Sequence, residues 1–124
     1  MLTIRKEQTA VFEDASRLDF ENRMMAHIKK FFPEHYAALA EEKTRQLIQF
    51  AIERAETHGI VNERDVCKFT DLMIAFGPGF EQDPKCPWAA KILTDPAVTT
   101  PSKRVDKLYD QGISRLETRA ARES

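Results

Sequence analysis

The sequence predicts an all-α fold, a compact bundle of four main helices with one or two short ones added. Three observations carry this. Apolar residues recur at a spacing of three and four along most of the chain. Every proline and three of the four glycines fall between these stripes rather than inside them. Apart from a short stretch at 2–4, no segment alternates as a strand does.

The 124 residues fit one domain, 42% hydrophobic and 31% charged, which is globular rather than disordered composition. A chain of this length buries roughly two-thirds of the surface it would expose unfolded.

The first helix is expected over 4–31, with Thr3 as its cap. Val11, Phe12, Phe20, Met24, Ile28 and Phe31 form its buried stripe. Glu13–Arg17 and Asp19–Arg23 have the acid first at i,i+4, the favoured order on a solvated face. The stripe thins near 15–18, where a bend is expected. Pro33 ends the helix by disfavouring the α region before it, then opens the second helix over 33–58. Lys43 and Thr44 interrupt that stripe, which predicts a break near Ala40. His58-Gly59 is a C-terminal signature.

Asn62 caps a third helix over 62–76, with Glu63 and Asp65 complementing its dipole and Val66, Phe69, Leu72, Met73 and Phe76 as its buried face. The loop 77–86 holds Gly77, Pro78, Gly79 and Pro84. A short helix over 87–94 follows, and Thr100-Pro101 opens the last helix over 101–119, with a frayed tail at 120–124.

Charge and motif spacing exclude several function classes. A net charge of −1 argues against nucleic acid as the main partner. The N-terminus lacks the apolar core of a signal peptide and no run is long enough to span a bilayer, so the expected location is the cytoplasm. His27, His35 and His58 are isolated in sequence and no CxxC or HExxH occurs, so no metal site, cofactor or catalytic set is expected. Cys67 and Cys86 read as buried thiols of a reducing compartment, with a disulfide between them as the alternative. Cys67, early in the third helix and near His58 in sequence, is the one nucleophile candidate. Packing as a small apolar side chain is its plainer reading.

The stretch GPGFEQDPKCPWAA at 77–90 has two readings. Its prolines and glycines leave it few conformations to lose. Its aromatics either fold inward and cap the bundle or anchor a partner at low entropic cost. The last helix carries Lys103, Arg104, Lys107, Arg115, Arg119 and Arg122, a solvated face or a docking face for an acidic partner. The residues chosen as partner contacts are Phe76, Pro78, Phe80, Asp83, Pro87, Trp88, Arg104 and Lys107.

IRKEQ at 4–8, FFP at 31–33, GI at 59–60, ERDV at 63–66, LMIAFG at 72–77, DP at 83–84, PWA at 87–89 and DP at 95–96 occur in this order. In this the chain resembles small bacterial proteins encoded with type VI secretion spike and PAAR-tip effectors, over about residues 4–116. The resemblance implies an accessory role, as an adaptor or co-chaperone that helps load a toxin, and supplies no catalytic motif. The expected function is therefore a non-enzymatic protein-interaction module whose partner is another protein, such as an effector, chaperone or spike component. Homodimerisation is compatible with the long first helix. Two rivals stand beside it. One is an immunity protein that presents Glu41, Glu42 and Glu53 to a toxin's basic cleft. The other is a small enzyme using Cys67 with His58.

Overall fold

The computed structural model describes residues 14–123, in which five α-helices and one 3₁₀ turn follow one another. Helix α1 spans Asp14–Phe31, α2 Pro33–Thr57, α3 Glu63–Phe76, α4 Pro87–Leu93 and α5 Pro101–Glu123, with the 3₁₀ turn at Phe80–Gln82. The expected first helix at 4–13 and its Thr3 cap lie outside the described residues. From Asp14 onward α1 is continuous, with no break at the thinned stripe.

Helix α3 is the centre of the bundle, packing against α2 on one side and α5 on the other, while α1 packs on α2. Its apolar stripe explains this position. Val66, Phe69, Leu72 and Met73 are buried, and each such side chain contributes about 1.5–3 kcal/mol by leaving water. Ile28, Ile48, Ile52, Val105 and Leu108 complete the core from the other long helices.

The chain ends of these helices are set by local chemistry. The Asn62 side chain accepts from the Asp65 backbone N–H at 3.0 Å, capping α3. Asp65, itself buried, also accepts from the Asn62 amide at 2.8 Å and from the Ser102 hydroxyl at the start of α5. This short network fixes where α5 begins against α3. Helix α2 closes in a Schellman motif: Gly59 N–H donates to Glu56 and Ile60 N–H to Ala55, both at 2.9 Å, with Ile60 buried beneath.

Helix α2 is kinked at Ala40, where the sequence predicts a break; φ is 62° and ψ 178°, a conformation that is essentially reserved for glycine. Helix α5 runs on to Glu123, beyond the expected end at 119. Arg119, Ala120, Ala121 and Arg122 are all strong helix formers, so the predicted tail continues the helix instead of fraying.

Gly112 permits the close approach of α5 to α3. A Cβ there would lie 2.5 Å from Leu72 Cδ2 and 3.3 Å from the Phe76 ring.

Candidate functional site

The site begins with the loop at 77–86. Gly77 and Gly79 have φ of 101° and 81°, which turns the chain back over the bundle. The turn carries Phe80 inward until it is buried against Phe69, at 5.5 Å between ring centroids. Trp88, on α4, meets Phe76 edge to face at 5.2 Å and Phe80 at 6.1 Å. Of the two readings of this loop, inward folding describes Phe80 and Trp88, which retain only 1% and 8% of their surface.

One edge of this aromatic cluster stays open toward α5. Arg115 lies over the Trp88 ring at 5.0 Å and Arg119 over the Phe76 ring at 5.9 Å. With Arg122 they follow i, i+4, i+7 spacing, which places all three on one face of the helix. Lys85 approaches from the loop. Together with Cys86 and Thr118 these residues line a cleft of about 430 Å³. Among the described residues none of Lys85, Arg115, Arg119 and Arg122 forms an ion pair. Cys86 registers the local field: burial raises its thiol pKa, Asp83 adds to the rise, and Arg115 and Arg119 oppose it. The cleft therefore has an aromatic floor and a cationic wall, with Asp83 as a nearby negative charge.

The structure does not bring the sequence-chosen contacts together at one place. Phe76 and Trp88 line the cleft. Pro87 is exposed and Asp83 half-buried beside it. Pro78 instead borders an apolar groove of about 510 Å³, formed with Leu39, Leu47, Phe50 and Ile74 between α2 and α3. Phe80 is buried and offers a partner no surface. Arg104 donates to the Val98 carbonyl at 3.0 Å and Lys107 lies 3.9 Å from Asp95. They sit at the opening turns of α5, about 16 Å (Arg104) and about 12 Å (Lys107) before Arg115 by helical rise. The basic residues that meet the loop are the later set, Arg115, Arg119 and Arg122. Their common helical face is readable from spacing, but their proximity to Trp88 depends on how α4 packs.

The pairing of Cys67 with His58 is not found. His58 Nε2 lies 3.2 Å from Glu81 Oε2, a carboxylate fully buried beneath the loop. Cys67 Sγ instead lies 3.9 Å from His27 Nε2 of α1. The same nitrogen is 2.9 Å from Asp71 Oδ1. A histidine acting as base toward the thiol needs that nitrogen free, and here the aspartate occupies it. Burial pushes the Cys67 thiol up to about 11, with the Asp71 charge adding to the rise. Both cysteines are free thiols. Sequence spacing gave no reason to expect a ligand cluster, yet His27, Cys67 and Asp71 bring one nitrogen, one sulfur and one oxygen within 4.8 Å of one another.

Glu41 and Glu42 are exposed on α2, and Glu53 lies 3.9 Å from Arg17. No helix among the described residues is long and apolar enough to cross a membrane. In comparisons with known proteins, the chain matches no family model, no curated protein and no solved structure.

Proposed function

We propose that the chain is a non-enzymatic protein-interaction module that receives an acidic segment of a partner protein in the cleft between α4 and α5. The single observation that supports this reading is the convergence of Lys85, Arg115, Arg119 and Arg122, unpaired among the described residues, on the edge of the Phe76–Trp88 pair. Arginines already stacked on rings lose little freedom on binding and present forked donors to carboxylates. The aromatic edge between them suits an apolar side chain flanked by acids. The chain's net charge of −1 weighs against a nucleic-acid partner.

The finer role follows from the resemblance to proteins encoded with type VI secretion spike and PAAR-tip effectors. In it the chain is a cytoplasmic adaptor or co-chaperone, covering a partner's surface until the partner docks on the spike.

Affinity capture with quantitative mass spectrometry tests both levels. Arg115→Glu/Arg119→Glu should lose the partner that the wild type retains from a bacterial lysate. Lys103→Glu/Lys107→Glu, at the other end of the same helix, should keep it. Circular dichroism confirms that both variants stay folded. Equal capture by both variants removes the cleft as the contact. Capture of nucleic acid, or of proteins unrelated to secretion, removes the partner class or the finer role respectively.

A further inference from the structure

We propose that His27, Cys67 and Asp71 form a three-ligand site for a borderline divalent transition metal, Zn²⁺ or its analogue Co²⁺, with the fourth position open to a neighbouring cleft. The argument starts from the helix. Cys67 and Asp71 are spaced i,i+4 on α3 and so project from one face. His27 comes to that face from α1. The ligand atoms of all three residues lie within 4.8 Å of one another, and each residue is half-buried.

The two separations from His27 lie close to those of a tetrahedral centre. Bonds of about 2.0–2.3 Å to nitrogen, oxygen and sulfur place neighbouring ligand atoms about 3.4–3.6 Å apart. His27 Nε2 to Asp71 Oδ1, at 2.9 Å, would open by about 0.5 Å, and His27 Nε2 to Cys67 Sγ, at 3.9 Å, would close by about 0.3 Å. Side-chain rotation covers both changes. One thiolate, one imidazole and one carboxylate are a donor set for zinc rather than for calcium or magnesium, which take oxygen alone.

Three protein ligands leave one position free, the arrangement of zinc sites that keep a water or substrate bound. Beside the cluster lies a cleft of about 340 Å³ lined by Phe20, Arg23, Met24, Glu63 and Arg64 together with His27 and Cys67. The free position faces a space that an exogenous ligand can enter. The metal would also reinforce the direct link between α1 and α3 that the Arg23–Glu63 and His27–Asp71 contacts already make.

The test is titration of the untagged, reduced chain with Co²⁺ alone, read by absorption. The expected result is saturable binding of one ion per chain, with a thiolate-to-cobalt charge-transfer band in the near ultraviolet. Cys67→Ser should abolish the band, and Cys86→Ser should leave it unchanged. His27→Ala and Asp71→Asn should each weaken binding by more than about tenfold. Zn²⁺ should displace Co²⁺ and raise the melting temperature of the wild type but not of Cys67→Ser. If Cys67→Ser fails to fold, protection of Cys67 from alkylation by Zn²⁺ in the Cys86→Ser chain replaces it. The proposal is overturned by absence of saturable binding, by a band that survives Cys67→Ser, by loss of the band in Cys86→Ser, or by absence of that protection.

Discussion

Arg54, near the end of α2, donates to the Glu81 carboxylate at 2.8 Å, and the Glu81 side chain is fully buried beneath the loop that links α3 to α4. His58 Nε2 lies 3.2 Å from the same oxygen, while the other carboxylate oxygen has no hydrogen-bond partner. The loop is thus held to α2 by a charge that cannot reach water. Removing Arg54 leaves the buried carboxylate with His58 as its remaining partner. Arg54→Ala should therefore destabilise the fold by about 3 kcal/mol, at the low end for buried pairs because Arg54 is itself 21% exposed. Arg54→Met with Glu81→Leu should cost clearly less than Arg54→Ala alone. Urea unfolding of the two variants measures this, and a double variant as unstable as the single one contradicts it.

The α3–α5 contact makes a second expectation. A methyl group at position 112 would overlap Leu72 Cδ2 at 2.5 Å, and that side chain is buried with little room to turn away. Gly112→Ala should cost about 1–3 kcal/mol despite the better helix propensity of alanine. Adding Leu72→Val removes the clashing carbon and should recover part of the loss. A Gly112→Ala chain more stable than wild type in thermal unfolding would show that the helices simply move apart.

Ala40 is strained in the opposite sense. Its φ of 62° and ψ of 178° burden a residue with a Cβ by about 1–3 kcal/mol. Glycine relieves that strain, and its greater freedom in the unfolded chain offsets only part of the gain. Ala40→Gly should therefore raise stability by about 1 kcal/mol. A lower melting temperature would mean that the kink does not persist in solution.

How far the sequence could be read depends on whether a feature is local. The stripe Val66, Phe69, Leu72 and Met73 specifies both a helix and its buried face, and these residues are the core of α3. Asn62 and Gly59 set helix ends through backbone bonds to close neighbours, so they were legible too. The Lys43-Thr44 interruption points to the kink at Ala40, although Thr44 proves to be buried. Features joining distant residues were not legible. His27 and Cys67 are 40 positions apart, and nothing in their separate surroundings indicates that α1 brings the imidazole to the thiol. Placement of Arg115 rather than Arg104 against Trp88 depends in the same way on where α4 crosses α5. The loop could be read as rigid, but the direction of Phe80 is decided by its packing against Phe69, Phe76 and Trp88.

Asp106 gives the pH dependence. Its Oδ1 accepts from Lys68 at 2.9 Å and from Arg64 at 3.1 Å, and the Lys68 bond leads in lowering its pKa below the ordinary aspartate value. A carboxylate with a lowered folded-state pKa stabilises the fold above its unfolded value, about pH 4, and loses that contribution as pH falls through the folded value. Stability should fall in acid, and Asp106→Asn should be less stable than wild type at neutral pH and show a smaller fall in acid, the difference between the two narrowing as pH drops through the lowered pKa of Asp106. Denaturation at a series of pH values is the measurement. An acid limb as steep in Asp106→Asn as in wild type would assign the dependence to other carboxylates.

Thiol chemistry separates a binding module from the rival enzyme. With its thiol pushed up to about 11, Cys67 holds only roughly one thiolate in ten thousand at neutral pH. Its Sγ is 3.9 Å from His27 Nε2, which already meets Asp71 at 2.9 Å, so no free base stands ready to take the proton. In the presence of a chelator, and in a Cys86→Ser chain, iodoacetamide should therefore label Cys67 at least about a hundredfold more slowly than free cysteine at neutral pH. The rate should climb as the solution is made alkaline. Rapid labelling at mildly acidic pH would mean an activated thiolate, and the Cys67 enzyme would displace the interaction module as the better account of the chain.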